Sequence, residues 1–341
     1  MSTAPDRILL GVLLMLGFCL IAPLIDVAAK LATAFVTIGM VTMARFAVQG
    51  VLMGALLAPM GLDLRLPRRL WGLIALRAAM SILSTFVFVA ALSVMPLADA
   101  VAIVYVEPFV VMLLGWLLLR ETVGPRRLAA AGVGFGGALL VIQPNFAAFG
   151  AVALLPLVVA VTFSVYVLVT RHLRGMHPVA MQFHTAWMAA AMALPLLLAL
   201  GNGLGWAPAR LDWSAPTAGW LTMAGVGLAA TVSHLSMTYA LRFAPSATLA
   251  PLGYLEIPVV AILGYLVFAD LPGALAWVGI VTITAAGLYV IHRERVAARA
   301  PTVTPTMPVQ RTTPPAPHPA PPPAGSPASE APTGSAARDR R

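Results

Sequence analysis

The sequence contains few charged residues. Only 10% of its 341 residues are Asp, Glu, Lys or Arg, against about 25% in an ordinary soluble domain, and 60% are hydrophobic. A soluble protein of this length could not cover its exterior with 21 basic and 12 acidic residues. The composition therefore excludes a soluble globular enzyme and predicts a protein surrounded mostly by the lipid bilayer.

Cysteine and lysine are almost absent as well. Cys19 is the single cysteine, so the chain can form neither an internal disulfide nor a cysteine-based metal site. Lys30 is the single lysine, so the net charge of +9 comes from arginine. Because the arginines stand in short clusters between apolar runs, they indicate membrane topology, and we expect no nucleic-acid partner. We also expect no metal and no cofactor.

Long apolar runs fill most of the chain. About 20 helical residues cross about 30 Å of hydrocarbon, and ten runs are long enough to do so. Their approximate limits are 8–29, 34–58, 70–93, 97–119, 126–143, 149–170, 179–200, 217–241, 246–268 and 273–292. The sequence thus predicts an all-α polytopic membrane protein. Residues 296–341 hold 12 of the 29 prolines and predict a disordered, Pro-rich cytoplasmic tail.

The arginine clusters also predict an orientation. If the N-terminus is cytoplasmic, the inside segments carry nearly all of the arginines that lie between spans, whereas the outside loops carry Arg210, with Lys30 near a helix end. This bias obeys the positive-inside rule. We therefore expect both termini in the cytoplasm and the chain in a bacterial-type inner (plasma) membrane.

An internal repeat relates the two halves of the sequence. With an offset of 149, residues 96–142 and 245–291 share 13 identities in 47 positions without a gap. Glu107 aligns with Glu256, and Tyr105 with Tyr254. Each half, 1–144 and 145–295, holds five predicted spans, and because five is odd the second half enters the membrane from the opposite side. The sequence thus predicts two inverted five-helix repeats, an arrangement common in secondary transporters.

The repeated segments resemble a known family. The patterns PLADA, LLLRE before Gly124, and GLY followed by Arg293 and Glu294 are similar to the drug/metabolite transporter superfamily, EamA type. LRAA at 76–79 is similar to members related to riboflavin and S-adenosylmethionine permeases. The resemblance, over about residues 8–295, implies a ten-helix permease for a small-molecule substrate.

Six charged residues fall inside the predicted spans. A lone charge at the bilayer centre costs about 2.5–3.5 kcal/mol on insertion scales, so these residues must face a cavity or pair with one another. Three are acidic and three are basic, which favours a zwitterion or a solute of mixed charge. The six residues are Asp26, Lys30, Arg45, Arg77, Glu107 and Glu256.

Asp26, Lys30 and the two arginines of this set each have two interpretations. Asp26 and Lys30, four residues apart on one helix, either form a local ion pair or belong to a gate. Arg45 and Arg77 either pair with the glutamates or bind an anionic group of the substrate. Because Arg77 lies closer to the cytoplasm, Arg45 is the more central candidate.

The glutamates and their polar neighbours leave similar alternatives. Glu107 and Glu256 lie near mid-membrane, where they bind a proton or cationic substrate, or pair with arginine. A proline follows each closely and predicts a kink. Further candidate substrate contacts are Tyr105, Tyr254, His234 and Ser84, with core packing or interhelical hydrogen bonding as the alternative.

The leading hypothesis is a secondary transporter that moves a small polar metabolite by alternating access, with proton coupling as an option. One alternative is a membrane-embedded enzyme that uses Glu107 and Glu256 as acid and base; another is a non-transporting receptor or assembly factor acting through the tail. The fingerprint Gly132-x-Gly134-x-x-Gly137 lacks a preceding strand, so we reject nucleotide binding. Gly132 and Gly136 could instead pack helices closely or join two copies as a homodimer.

Overall fold

The computed structural model describes residues 7–57, 59–62, 65–104, 107–120, 124–142, 150–269 and 274–299. Helix accounts for nearly all of these residues, and no strand occurs among them. The α-helices are α1 Ile8–Ala32, α2 Ile38–Leu57, α3 Trp71–Leu92, α4 Leu97–Val104, α5 Glu107–Leu119, α6 Pro125–Ile142, α7 Leu155–His172, α8 Pro178–Leu197, α9 Thr217–Phe243, α10 Ser246–Leu249, α11 Glu256–Phe268 and α12 Ala274–Arg299. Short 3₁₀ segments cover Arg68–Leu70, Gly150–Leu154, Ala207–Ala209 and Ala250–Leu255, and a π-helical turn covers Leu198–Gly203.

The apolar runs become membrane-length helices. Within the described ranges, six helical segments are long and apolar enough to cross a membrane. They are Ile8–Ala32, Ile38–Leu57, Arg68–Leu92, Leu155–His172, Pro178–Gly203 and Ser246–Phe268. Shorter apolar stretches, Leu128–Gly137 and Trp277–Ala286, lie within α6 and α12. The predicted all-α fold is confirmed, whereas the count of ten spans stays a prediction.

The ninth predicted span differs in detail from the expectation. Residues 246–268 form α10, a 3₁₀ segment and α11, and the change in helix type falls before Glu256. We expected the kink at Pro258, but proline fits the first turn of a helix because its missing N–H would have no helical partner there. A carboxylate at a helix N-terminus interacts favourably with the helix dipole.

Helices that are distant in the sequence pack against each other. The main pairs are α1 with α9, α2 with α8, α3 with α7, and α6 with α12. All four pairs join a helix before residue 144 to one after it, so the core is shared between the halves of the sequence. Buried residues of α1 and α9 contribute much of the largest apolar cluster.

The last helix is longer than predicted. We expected the tenth span to end near residue 292 and the tail to begin at residue 296, but α12 runs to Arg299. Residues 293–299 consist of Arg, Glu, Val and Ala, and all of these except Val are strong helix formers, so the helix continues beyond the apolar run. Most of the predicted tail, residues 300–341, lies outside the described residues.

Candidate functional site

A central cavity lies among α1, α3, α7, α9 and parts of α4, α5, α10 and α11. Its empty volume is about 1170 Å³, a figure that includes space open to solvent. Most of its wall is apolar, with the rings of Phe18, Phe88 and Phe163 among the lining groups. The polar and charged lining residues are Asp26, Arg45, Ser81, Ser84, Thr85, Glu107, His234, Ser246 and Glu256.

Arg45 on α2 contributes the guanidinium of this cavity. Its Nη1 donates to Thr85 Oγ1 at 2.5 Å, and its Nη2 lies 2.6 Å from His234 Nε2. The buried Nε has no hydrogen-bond partner among the described residues. Arg45 therefore retains unused donors at a cavity wall, where an acceptor group of a ligand could reach them.

The contact with Arg45 defines the protonation state of His234. An arginine side chain can only donate hydrogen bonds, so His234 Nε2 must accept. The ring is therefore neutral, and its proton sits on Nδ1, which lies 3.3 Å from the hydroxyl oxygen of Tyr166. This assignment follows from the hydrogen-bond network.

Three carboxyl groups line the cavity from different helices. Asp26 lies on α1, Glu107 on α5 and Glu256 on α11, and all three residues are half-buried. Asp26 and Glu107 form no ion pair with any residue that the structure describes. The side chains of Asp26 and Glu107 are therefore open to a proton or a cationic group.

The expected ion pair between Asp26 and Lys30 is not formed. Lys30 Nζ donates to the carbonyl oxygen of Met95 at 2.8 Å and lies 5.4 Å from the ring centroid of Phe268. It thus interacts with the end of α3 and with α11, while Asp26 lines the cavity. Their possible role as a gate stays a prediction.

Arg77 does not line the cavity, contrary to our expectation. Its side chain is 0% exposed and is enclosed by hydroxyl groups. Nε donates to Thr170 Oγ1 at 2.8 Å, Nη1 to Thr185 Oγ1 at 2.5 Å, and Nη2 to Tyr166 Oη at 2.6 Å. The guanidinium also lies 4.2 Å from the Tyr166 ring centroid, a cation–π distance. Neutral hydroxyl groups thus take the place of the predicted glutamate partner.

Tyr254 also lies away from the cavity. Its side chain is 0% exposed, and its ring packs on Gly134 of α6. A Cβ atom placed on Gly134 would lie 2.5 Å from Cδ2 of Tyr254, so only glycine leaves room for this ring. The predicted stacking of Tyr254 on a substrate is therefore replaced by core packing, and Tyr105 lies outside the described residues.

The structure thus brings together most of the predicted site and alters its charge balance. Arg45, Glu107, Glu256, His234 and Ser84 all line the cavity. With Arg77 and Lys30 elsewhere, three carboxyl groups face one guanidinium, instead of the balanced set that we expected. Within the described ranges, no three His, Cys, Asp or Glu side chains are placed to hold a metal ion.

Some lining residues were not among the predicted contacts. Ser81 and Thr85 share a helix face with Ser84, and the spacing does indicate this polar face, although only Ser84 was predicted as a contact. Phe18 and Phe163 gave no signal, because phenylalanine in an apolar span is ordinary core or lipid-facing composition.

Comparisons with known proteins agree with this architecture. The EamA-like transporter family matches residues 9–143 and 150–292. A riboflavin transporter of Rhizobium johnstonii is 31% identical over 66% of this chain and 72% of its own length, and an S-adenosylmethionine uptake transporter of Rickettsia bellii is 24% identical over 60% and 67%. A solved crystal structure with 18% identity has a TM-score of 0.68 and covers 84% of this chain and 98% of its own, which supports the fold. The chain therefore belongs to the EamA-like transporter family of multi-pass membrane proteins.

Proposed function

We propose that the central cavity is the substrate site of a secondary transporter that moves a small polar metabolite by alternating access. The observation that carries this proposal is a cavity inside an apolar helical bundle whose wall combines Asp26, Glu107 and Arg45. Ionisable groups at such depth are expensive, and in membrane proteins they mark substrate or ion pathways. Family membership supports the same function.

Two inverted repeats, residues 1–144 and 145–295, would provide the moving parts. Support comes from the offset repeat in the sequence and from the two separate stretches matched by the family, 9–143 and 150–292. The aligned residues Glu107 and Glu256 both line the cavity. Ten spans with both termini in the cytoplasm belong to this proposal, and reporter fusions at each predicted loop would test them.

The substrate that we propose is a planar polar metabolite such as riboflavin. The first reason is the relative named as a riboflavin transporter. The second is the cavity wall, where phenylalanine rings offer stacking surfaces and Ser84 and Arg45 offer hydrogen bonds. The relative named as an S-adenosylmethionine uptake transporter makes that cationic compound the second candidate.

Proton coupling is proposed for Glu107 and Asp26. Neither carboxylate has an ion-pair partner in the described parts of the chain, so binding of a proton would remove a costly buried charge. We expect the variant Glu107→Gln to retain substrate binding and to lose the dependence of uptake on an imposed pH gradient.

Reconstitution into liposomes tests the transport proposal. Preloaded unlabelled riboflavin should drive counterflow of labelled riboflavin, and S-adenosylmethionine is the parallel probe. Counterflow requires a sealed compartment, whereas a membrane-embedded enzyme would convert its substrate in detergent. The proposal fails if neither compound, nor any hit from a metabolite thermal-shift screen, shows counterflow with folded protein.

A homodimer is a further, separate proposal. Gly132 and Gly136 are both exposed on α6, and a Cβ atom on Gly136 would meet nothing within 4 Å. Small residues four positions apart let helices of two copies approach closely. Light scattering of the purified protein and of a Gly136→Leu variant would reveal a dimer that this substitution dissociates.

A further inference from the structure

Arg45 connects three helices at one point of the cavity wall. It extends from α2, while its two partners, Thr85 and His234, belong to α3 and α9. With the offset of 149 that aligns the two halves, Thr85 and His234 are equivalent positions. One guanidinium is therefore held by the same position of both repeats.

The two contacts respond differently to protons. A threonine hydroxyl can accept from arginine at any pH in the physiological range. The imidazole can accept only while it is neutral, because both ring nitrogens of a protonated histidine are donors. The 2.6 Å contact between Arg45 and His234 thus exists in one protonation state alone.

The groups near the other ring nitrogen, Nδ1, do not replace the lost contact with Arg45. Tyr166 Oη, which lies 3.3 Å from His234 Nδ1, already accepts from Arg77 Nη2 at 2.6 Å. Gln182 on α8 donates to the backbone carbonyl of His234 at 2.9 Å and does not titrate. The charged and titratable groups around the ring or across the cavity are Asp26 on α1, Arg45 on α2, Arg77 on α3, Glu107 on α5, Tyr166 on α7 and Glu256 on α11.

We propose that Arg45 is a positioning residue whose bond to His234 breaks when the imidazole is protonated, so that its guanidinium leaves His234 while Thr85 remains as its partner. The carboxylates that line the same cavity are the acceptors available to the released guanidinium. This movement of the guanidinium would alter access to the cavity. Its use in transport rests on the proposed function, but the structural change itself does not.

Cysteine labelling can detect this change without a transport assay. Replacing Cys19 with serine and introducing Ser81→Cys places one thiol on the cavity wall. The maleimide labelling rate is measured in detergent from pH 5 to pH 8, with and without the additional substitution His234→Gln. A glutamine side-chain oxygen can accept from Arg45 at every pH, so the ratio of the two rates removes the pH dependence of the thiol itself.

We expect this ratio to change by about fivefold or more between the ends of the pH range, a coupling typical of two-state proteins. His184→Gln is the matched control, because His184 lies on α8 and does not line the cavity; it should leave the pH response unchanged. Thr85→Val should also keep the response, because the His234 contact remains. If His234→Gln does not fold, as judged by thermal unfolding, His234→Asn takes its place, because the asparagine side-chain oxygen also accepts a hydrogen bond at every pH.

A ratio that is constant with pH would overturn the proposal, as would a pH response that also disappears in His184→Gln. If labelling behaves as expected but no candidate solute shows counterflow, the proposed function fails and the proton-sensitive contact stands. If counterflow occurs but the labelling ratio is constant with pH, the proposed transport function stands and the proton-sensitive contact is wrong.

Discussion

Two arginines of this protein occupy opposite kinds of environment within one hydrogen-bond network. Arg77 is 0% exposed and has a partner for each of its three nitrogens. Arg45 lies on the cavity wall and has a buried Nε without a partner among the described residues. Tyr166 and His234 connect the two guanidinium groups.

The comparison shows that the hydrogen-bond partners of an arginine, and not its residue type, decide whether its charge stabilises the fold or is available to a substrate. The side chains of Thr170 and Thr185 donate to carbonyl oxygens of their own helices, at 2.7 and 2.8 Å, and accept from Arg77. Each hydroxyl thus uses both of its capabilities, and the cluster lies away from the cavity. Arg45 lines the cavity and keeps N–H donors without partners in the described part of the chain, which an acceptor group of a substrate can satisfy.

The largest expected effect comes from removing the enclosed arginine. Arg77→Ala should lower the free energy of unfolding by about 2–5 kcal/mol, because truncating a large buried side chain leaves a cavity and breaks its hydrogen bonds. SDS denaturation in mixed micelles measures this loss. Arg77→Met, which keeps much of the volume, is the matched control and should be less destabilising. Equal stability of Arg77→Ala and the unaltered protein would mean that the hydroxyl cluster does not stabilise the fold.

Sequence reasoning could predict the charged candidates but not their division between core and cavity. Arg77 and Ser84 are seven residues apart on α3 and therefore share one helix face, and both are buried. The position along the helix decides the rest: Ser84 reaches the cavity, whereas Arg77, two turns away, meets α7 and α8. That outcome depends on which helices pack there, and hydroxyl groups on distant helices give no local signal.

Tyr254 illustrates the same limit. Its alignment with Tyr105 suggested a symmetric pair of substrate contacts, but the environment of Tyr254 is set by Gly134 on another helix. A repeat in sequence relates backbone positions, whereas the neighbours of each copy differ. In contrast, the apolar runs specify helices directly, because a helix satisfies its backbone hydrogen bonds within a single segment, as the bilayer core requires.

The cavity arginine should show the opposite pattern of effects. Arg45→Ala should reduce initial uptake rates in liposomes by about tenfold to a hundredfold, since hydrogen bonds to charged groups contribute about 1.5–3 kcal/mol. Its stability should fall less than that of Arg77→Ala, because solvent in the cavity can reach the vacated space. Arg45→Lys keeps the positive charge but not the planar guanidinium with its fixed N–H donors, so it should recover only part of the rate.

Measuring both stability and uptake for the two alanine variants distinguishes the surroundings of Arg45 from those of Arg77. If Arg45→Ala proves as destabilising as Arg77→Ala, its lost uptake would reflect misfolding, and the distinction between the two arginines would fail. Unchanged uptake by a folded Arg45→Ala protein would remove Arg45 from the transport site.

The smallest expected effects come from single hydroxyl groups, one beside each arginine. Thr185→Val keeps the side-chain shape but leaves Arg77 Nη1 without its buried acceptor, which should cost about 1–3 kcal/mol of stability and leave the apparent affinity for substrate unchanged. Thr85→Val leaves Arg45 Nη1 facing the cavity, where water or substrate can replace the lost hydroxyl, so stability should change by less than about 1 kcal/mol. Its effect should appear instead as a changed substrate concentration for half-maximal uptake. Both quantities, stability and the substrate concentration for half-maximal uptake, are measured for both variants. The two regions differ as we describe only if Thr185→Val changes stability alone and Thr85→Val changes the half-maximal concentration alone.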